Sequence, residues 1–241
     1  MKKKIQLLWG YRWIFRSLFK TIYLNFKCLP FRQALFLPII LYKPRLLTLS
    51  GKINIDAVKI RSGMIQLGRN EVSFYPNSGI TIENEGTIVF KGNAKIASGS
   101  CLSVKKNAVL TIGDNFHATA ELKVACYCST TIGDNVLVGW ETKIFDTDFH
   151  QLTSVDKYKI LQAFGPIVIG NNVWIANDCL VMKNTNIPDF CVVGARSILR
   201  KKYYVPQYSL IAGAPAKFIR EGCFLDRNNM QIAYQKTDCK E

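Results

Sequence analysis

A chain of 241 residues, 49% of them apolar, can bury a large core, which excludes a disordered or fibrous protein. Its net charge of +15 is unevenly held, because residues 1–50 carry ten Lys or Arg and no Asp or Glu. Eight cysteines without a CxxC pair, and only two histidines, His117 and His150, argue against a metal site and fit a reduced, cytoplasmic setting better than a disulfide framework.

Residues 1–29 place apolar side chains at Leu8, Tyr11, Phe15, Leu18, Phe19, Ile22 and Phe26, and basic ones at Arg12, Arg16 and Lys20. Both rows have helical spacing. Arg12 and Arg16 interrupt the apolar stretch and no small-residue cleavage site follows, so a secretion signal is not expected. The longest apolar run, Ala34 to Tyr42 with Pro38 inside, is far short of the roughly 18 to 20 residues that a span needs. Aromatics opposite a basic face suit a helix lying on an anionic membrane, at the inner face of the cytoplasmic membrane if the protein is cytoplasmic. They suit equally a helix packed on the rest of the chain or on a second subunit with the basic row solvated, and the residues alone leave both open. No nucleic-acid motif accompanies the charge.

From Gly51 the chain turns to short β-rich segments separated by Gly and Asn, and Thr-Ile-Gly-Asp-Asn occurs at 111–115 and again at 131–135. The period then becomes explicit. Ile169, Ile175, Val181, Ile187, Val193 and Leu199 stand at intervals of six, each followed four residues later by Val173, Cys179, Thr185, Cys191, Ser197 or Tyr203. Helices repeat every 3.6 residues and strands every 2, so a period of six requires a chain that turns a corner after each short strand and stacks its inward side chains coil on coil. The spacing therefore predicts an all-β protein built as a parallel β-helix. Asn171-Asn172, Asn177-Asp178, Asn184 to Asn186 and Pro188-Asp189 have the chemistry of its corners. The expected divisions are a basic aromatic segment at 1–50, the coil at 51–221 and a polar tail at 222–241.

The rhythm breaks between Phe145 and Phe164, and a loop thrown out from a rigid coil is a natural place for a site. This one carries Asp146, Asp148 and His150, which in extended chain share one side. A carboxylate beside an imidazole holds its tautomer, as a general base taking a hydroxyl proton needs.

Residues from about 80 to 221 resemble the hexapeptide-repeat acyltransferases, in particular the sugar and polysaccharide O-acetyltransferases. The resemblance implies a left-handed coil and a homotrimer. It implies acetyl-CoA as donor, bound in a groove between subunits, and a saccharide hydroxyl as acceptor, with His150 as catalytic base and Asp148 beside it. Asp146, Trp140, His117 and Thr119 fall toward the acceptor. VWIAND and VVGARS match the groove-lining turns and place Trp174, Ala176, Asn177 and Ala195 along the donor, with Lys201, Lys217 and Arg220 at its phosphates. Ala176 and Arg196 depart from the smaller residues usual there. With the basic amino terminus, the acceptor expected is a lipid-linked precursor of a surface polysaccharide. A soluble acceptor such as an amino sugar nucleotide or serine, and a non-catalytic trimeric scaffold, are the alternatives; a scaffold would lose nothing on replacement of His150.

Overall fold

Both six-residue columns point inward. Ile169, Ile175, Val181, Ile187, Val193 and Leu199 are at most 1% exposed, and Val173, Cys179, Thr185, Cys191 and Ser197 are equally buried, with Tyr203 closing the series. The computed structural model describes residues 17–156 and 158–227, in which the chain winds as a three-sided parallel β-helix. The first face stacks nine strands, from Ile39–Leu41 to the closing hairpin Leu210–Gly213 and Ala216–Arg220. The second has seven, from Pro44–Leu49 to Ile198–Leu199, and the third six, from Lys52–Ile55 to Asn186–Ile187. Only the closing hairpin is antiparallel among the described strand pairs. Register is kept coil after coil, so Val138 lies over Ile175, which lies over Val193 and then Ile211.

The Gly-Asp-Asn repeat explains how the coils stack at the corner between the third and first faces. Asp114 Oδ1 accepts from the backbone N–H of Asn93 (2.6 Å), Asp134 from Asp114 (2.7 Å), Asn171 from Asp134 (2.8 Å) and Asp189 from Asn171 (2.7 Å). Each carboxylate or amide thus satisfies the coil before it. The glycine ahead of it is required by the close approach, since a Cβ on Gly113 would lie 2.2 Å from the carbonyl oxygen of Gly133. One residue further, Asn115, Asn135 and Asn172 take left-handed backbone, as short polar side chains do at low cost. Glu121, Glu141, Asp178 and Arg196 repeat that conformation at the corner between the first and second faces.

The coil begins at Ile39, earlier than the division at 51 drawn from composition, and a helix closes its open edge. Residues 17–28 form this helix, α1, followed by one turn, α2, at Phe31–Ala34. Residues 1–16, with Leu8, Tyr11, Phe15, Arg12 and Arg16 of the proposed amphipathic pattern, lie outside the described residues. Within α1 a polar row takes the inward place, and of the two readings left open for the apolar row the structure turns it outward. Ser17, Thr21 and Asn25, four residues apart, are at most 5% exposed and face the edge strand. Asn25 accepts from Ile39 N–H (3.2 Å) and donates to Ile39 O (2.8 Å), Thr21 Oγ1 accepts from Leu41 N–H (3.0 Å), and Ser17 Oγ from Lys43 N–H (3.1 Å). Four helical residues rise about 6 Å and two strand residues about 6.6 Å, so three side chains match three alternate strand residues. Leu18, Phe19, Ile22, Tyr23 and Phe26 are left on the outer side, each more than two-fifths exposed.

The insertion between the second and third faces runs from Asp146 to Pro166 as a narrow arm. Its two sides are tied by antiparallel bridges between Thr147 and Phe164 and between Thr153 and Ile160. Val155, Tyr158 and Ile160 stand out from it, 68% exposed or more. Cysteines at 126, 179 and 191 are buried free thiols in the core. Burial first, and then the Asp146 carboxylate beside it, push the Cys126 thiol up to about 12.

Candidate functional site

The three residues expected on one side of the insertion part company. Asp146 is fully buried, and its carboxylate accepts from the backbone N–H of Tyr127 (2.6 Å) and Cys128 (3.0 Å), so it ties the arm to the preceding coil and is not presented to a ligand. Asp148 is clasped by Lys183 (2.5 Å), whose ammonium also donates to the Gln162 carbonyl (2.5 Å). It braces the arm and is not paired with His150. The cause is Phe149, whose φ of 61° is left-handed and breaks the alternation of extended chain; its ring packs edge-on against Phe145 and Tyr127. His150 emerges beyond it, exposed and with no recorded partner among the described residues.

The corner between the first and second faces gathers another part of the expected set. Thr119, Gly139, Ala176, Gly194 and Ala212 fall one above another, the N–H of Thr119, Gly139, Ala176 and Gly194 bonding to Val138, Ile175, Val193 and Ile211 in turn. Asn177 and Ala195 follow on the same edge, which is thus lined by small side chains and backbone. Lys217 pairs across Ala212 at the C-terminal end of this edge and Arg220 across Leu210; both are exposed. Trp174 sits on the outer surface of the first face, between Leu137 and Val192. Lys201 is not with them: it lies beyond the second face, its ammonium 5.7 Å from the centre of the Tyr203 ring. Arg196 projects into solvent and reaches Asp178 (3.5 Å).

At the N-terminal end of the same edge lies a feature the sequence did not disclose. Later coils turn this corner in about four residues, but residues 70–79 leave it as a longer loop that lies along the prism. Glu71 meets His117 Nε2 (2.5 Å) two coils on, and this hydrogen bond holds the Glu71 carboxyl below the usual carboxylate range. Phe74 and Tyr75 reach Trp140 three coils on, with ring centres 6.2 and 6.5 Å away. Trp140 is therefore half covered and not a free indole. Tyr75 lies beside Glu141, and desolvation together with that neighbouring carboxylate pushes its hydroxyl up to about 12. His117 also borders a cavity of about 300 Å³ with Lys95, Asn93, Asn115 and Arg227. Arg227 donates to the Asn115 carbonyl (2.9 Å), which folds the start of the tail back along the coil. No cluster of three metal-ligating side chains occurs among the described residues.

No family model matches the chain. It is 30% identical over 178 residues to WbbJ of Escherichia coli (strain K12), whose name places it in lipopolysaccharide biosynthesis as an O-acetyl transferase; the match covers 66% of this chain and 88% of that protein. It is 36% identical over 110 residues to galactoside O-acetyltransferase of the same organism, covering 46% of this chain and about half, 53%, of the relative. Among solved structures, the polySia-specific acetyltransferase NeuO superposes with a TM-score of 0.50 at 20% identity, over 78% of this chain and 84% of that one. The coil is that of the left-handed parallel β-helix proteins.

Proposed function

The chain belongs to the hexapeptide-repeat sugar O-acetyltransferases, and we propose that it moves an acetyl group from acetyl-CoA to a hydroxyl of a saccharide, with His150 as general base. The observation that carries this is the position of His150 on the arm that interrupts the coil, open to an acceptor. His117 is tied to Glu71, whereas His150 is exposed on a braced arm with its ring unengaged. Its imidazole takes the proton of the acceptor hydroxyl as the oxygen attacks the thioester carbonyl. The tetrahedral adduct collapses with cleavage of the C–S bond, and the departing thiolate receives the proton from the imidazolium. The products are the O-acetyl sugar and free CoA. The backbone N–H groups of Asn177 and Ala195, which stand outside the coil-to-coil ladder of this edge, are candidates to stabilise the oxyanion.

The arrangement of corners supports a shared site. His150 stands beyond the second face and the donor edge before it, about 10–15 Å apart at some 3.3 Å per residue. A neighbouring copy that sets its arm against this edge closes the site, and the exposed apolar residues of the arm favour such a contact. The homotrimer is proposed on that basis. Ala176, Asn177 and Ala195 then flank the donor's extended arm while Lys217 and Arg220 meet its phosphates.

The outer side of α1 supports a membrane contact. Its apolar residues are exposed because the polar ones are used to cap the coil, and residues 1–55 hold no acidic group. Anionic lipid satisfies both features, which favours an acceptor presented at a membrane, such as a lipid-linked polysaccharide precursor. No helix among the described residues is long and apolar enough to cross a bilayer.

Labelled acetyl transfer from acetyl-CoA to a panel of glycosides tests the activity: the protein acetylates at least one sugar and His150→Ala does not. Transfer that survives His150→Ala removes the base from this role, and no transfer at all returns the weight to a scaffold.

A further inference from the structure

From loop 70–79 and the corner it covers we infer a subsite for an uncharged pyranose, built from Phe74, Trp140 and Glu141 and resting on the proposal that the acceptor is a saccharide. Three observations converge on it. Phe74 is held 79% exposed on a loop that is otherwise pinned, by Glu71 to His117 and by Pro76 and Ser78 to Ser98. The Phe74 ring, edge-on to Trp140 at 88°, leaves an apolar face open to solvent beside the indole. The C–H face of a sugar ring matches such a surface.

Beside this surface stands one carboxylate without a cationic partner. Along this corner Glu121 is paired with Lys123 (2.7 Å), and Asp178 lies near Lys143 (3.7 Å) and Arg196 (3.5 Å). Glu141 is exposed and its carboxylate forms no ion pair among the described residues, Lys143 reaching its backbone carbonyl instead (3.4 Å). An ionised carboxylate accepts hydrogen bonds from two adjacent sugar hydroxyls and repels a sugar that carries its own carboxylate or phosphate. Tyr75 acts as a positioning residue, orienting the carboxylate without reaching the sugar.

The subsite also lies where an acceptor is needed. The N–H of Asp178 donates to the Trp140 carbonyl (2.8 Å), so the Trp140 corner is the next coil to the Ala176–Asn177 corner proposed for the donor. Donor and acceptor would lie end to end along one edge. Specificity then resides in a loop that breaks the repeat, as expected where a rigid coil supplies the frame.

The test is steady-state acetyl transfer with the full-length protein and acetyl-CoA, comparing neutral methyl glycosides (galactoside, glucoside and N-acetylglucosaminide) with the methyl glycoside of N-acetylneuraminic acid. Phe74→Ala and Glu141→Gln are each expected to raise the KM of the preferred neutral glycoside about tenfold or more, leaving the KM of acetyl-CoA and the melting temperature unchanged. Glu141→Gln narrows the preference for neutral over anionic acceptor. Adding Tyr75→Phe to Glu141→Gln raises that KM no further, because the phenol acts through the carboxylate. If the unaltered protein transfers acetyl to a glycoside while both single variants keep its KM within about twofold, the subsite is refuted and the acetyltransferase proposal stands. If the protein turns over no glycoside, the saccharide acceptor itself is refuted and the subsite with it.

Discussion

A histidine that is to remove a proton must reach the acceptor, and His150 stands exposed on the arm that interrupts the coil, whereas Glu71 and its loop lie against Nε2 of His117. Replacing His150 by Ala is expected to lower kcat by about 10²–10⁴, the range of a lost general base, while calorimetric acetyl-CoA affinity stays unchanged. Asp146 should behave in the opposite way. Its buried carboxylate satisfies two backbone N–H groups, so Asp146→Ala is expected to cost about 3 kcal/mol in denaturant unfolding, with Asp146→Asn losing less; a loss below about 0.5 kcal/mol would contradict the role given to it. The location of this loop and its histidine were legible because the repeat stops at Phe145. The separate duties of Asp146 and Asp148 were not, since counting alternate residues assumes extended chain and Phe149 is left-handed.

Helix α1 shows how an element's spacing can be legible while its direction is not. The period of apolar residues identifies a helix, and the usual inference buries them. Here the open edge of the strand Ile39–Leu41 demands donors and acceptors, and a row of Ser17, Thr21 and Asn25 supplies them. Making the buried row apolar, as in Thr21→Val or Asn25→Leu, is therefore expected to destabilise the fold by about 1–3 kcal/mol each by orphaning strand N–H groups. Changing Phe19, Ile22 and Phe26 together to Ser should leave the melting temperature within a few degrees but abolish co-sedimentation with anionic vesicles; retained sedimentation would refute the membrane contact. The loop at 70–79 was likewise illegible, because His117 and Trp140, which its Glu71, Phe74 and Tyr75 meet, are 46 residues or more away in sequence and carry no shared pattern. Its clasp titrates in a defined direction. The folded Glu71 carboxyl is depressed by His117, so its stabilisation is present above the ordinary carboxylate value of about 4.3 and is lost as pH falls through the lower folded value. The melting-temperature difference between the unaltered protein and Glu71→Gln should thus be present at about pH 6 and shrink as pH falls below the ordinary carboxylate value of about 4.3.

At the scale of the whole molecule a period of six, with aliphatics in one column and small residues in the other, was sufficient to specify a stacked coil, and both columns are buried as that period requires. Its first coils were harder to place because Ile39 to Ile55 lack the repeat and are closed by a helix. On the proposed reading one copy does not supply a complete site, since His150 and the proposed donor edge lie on different corners of the prism. This is most directly examined with mixed trimers carrying two different tags, one copy type bearing His150→Ala and the other bearing Ala195→Trp at the exposed donor edge. Each variant alone should be inactive. In any cyclic mixture one interface of three joins an intact His150 to an intact edge, so doubly purified mixed trimers should recover about a third of the unaltered acetyl-transfer rate. Mixed trimers as inactive as either parent, or no mixed species at all, would contradict a site shared between copies.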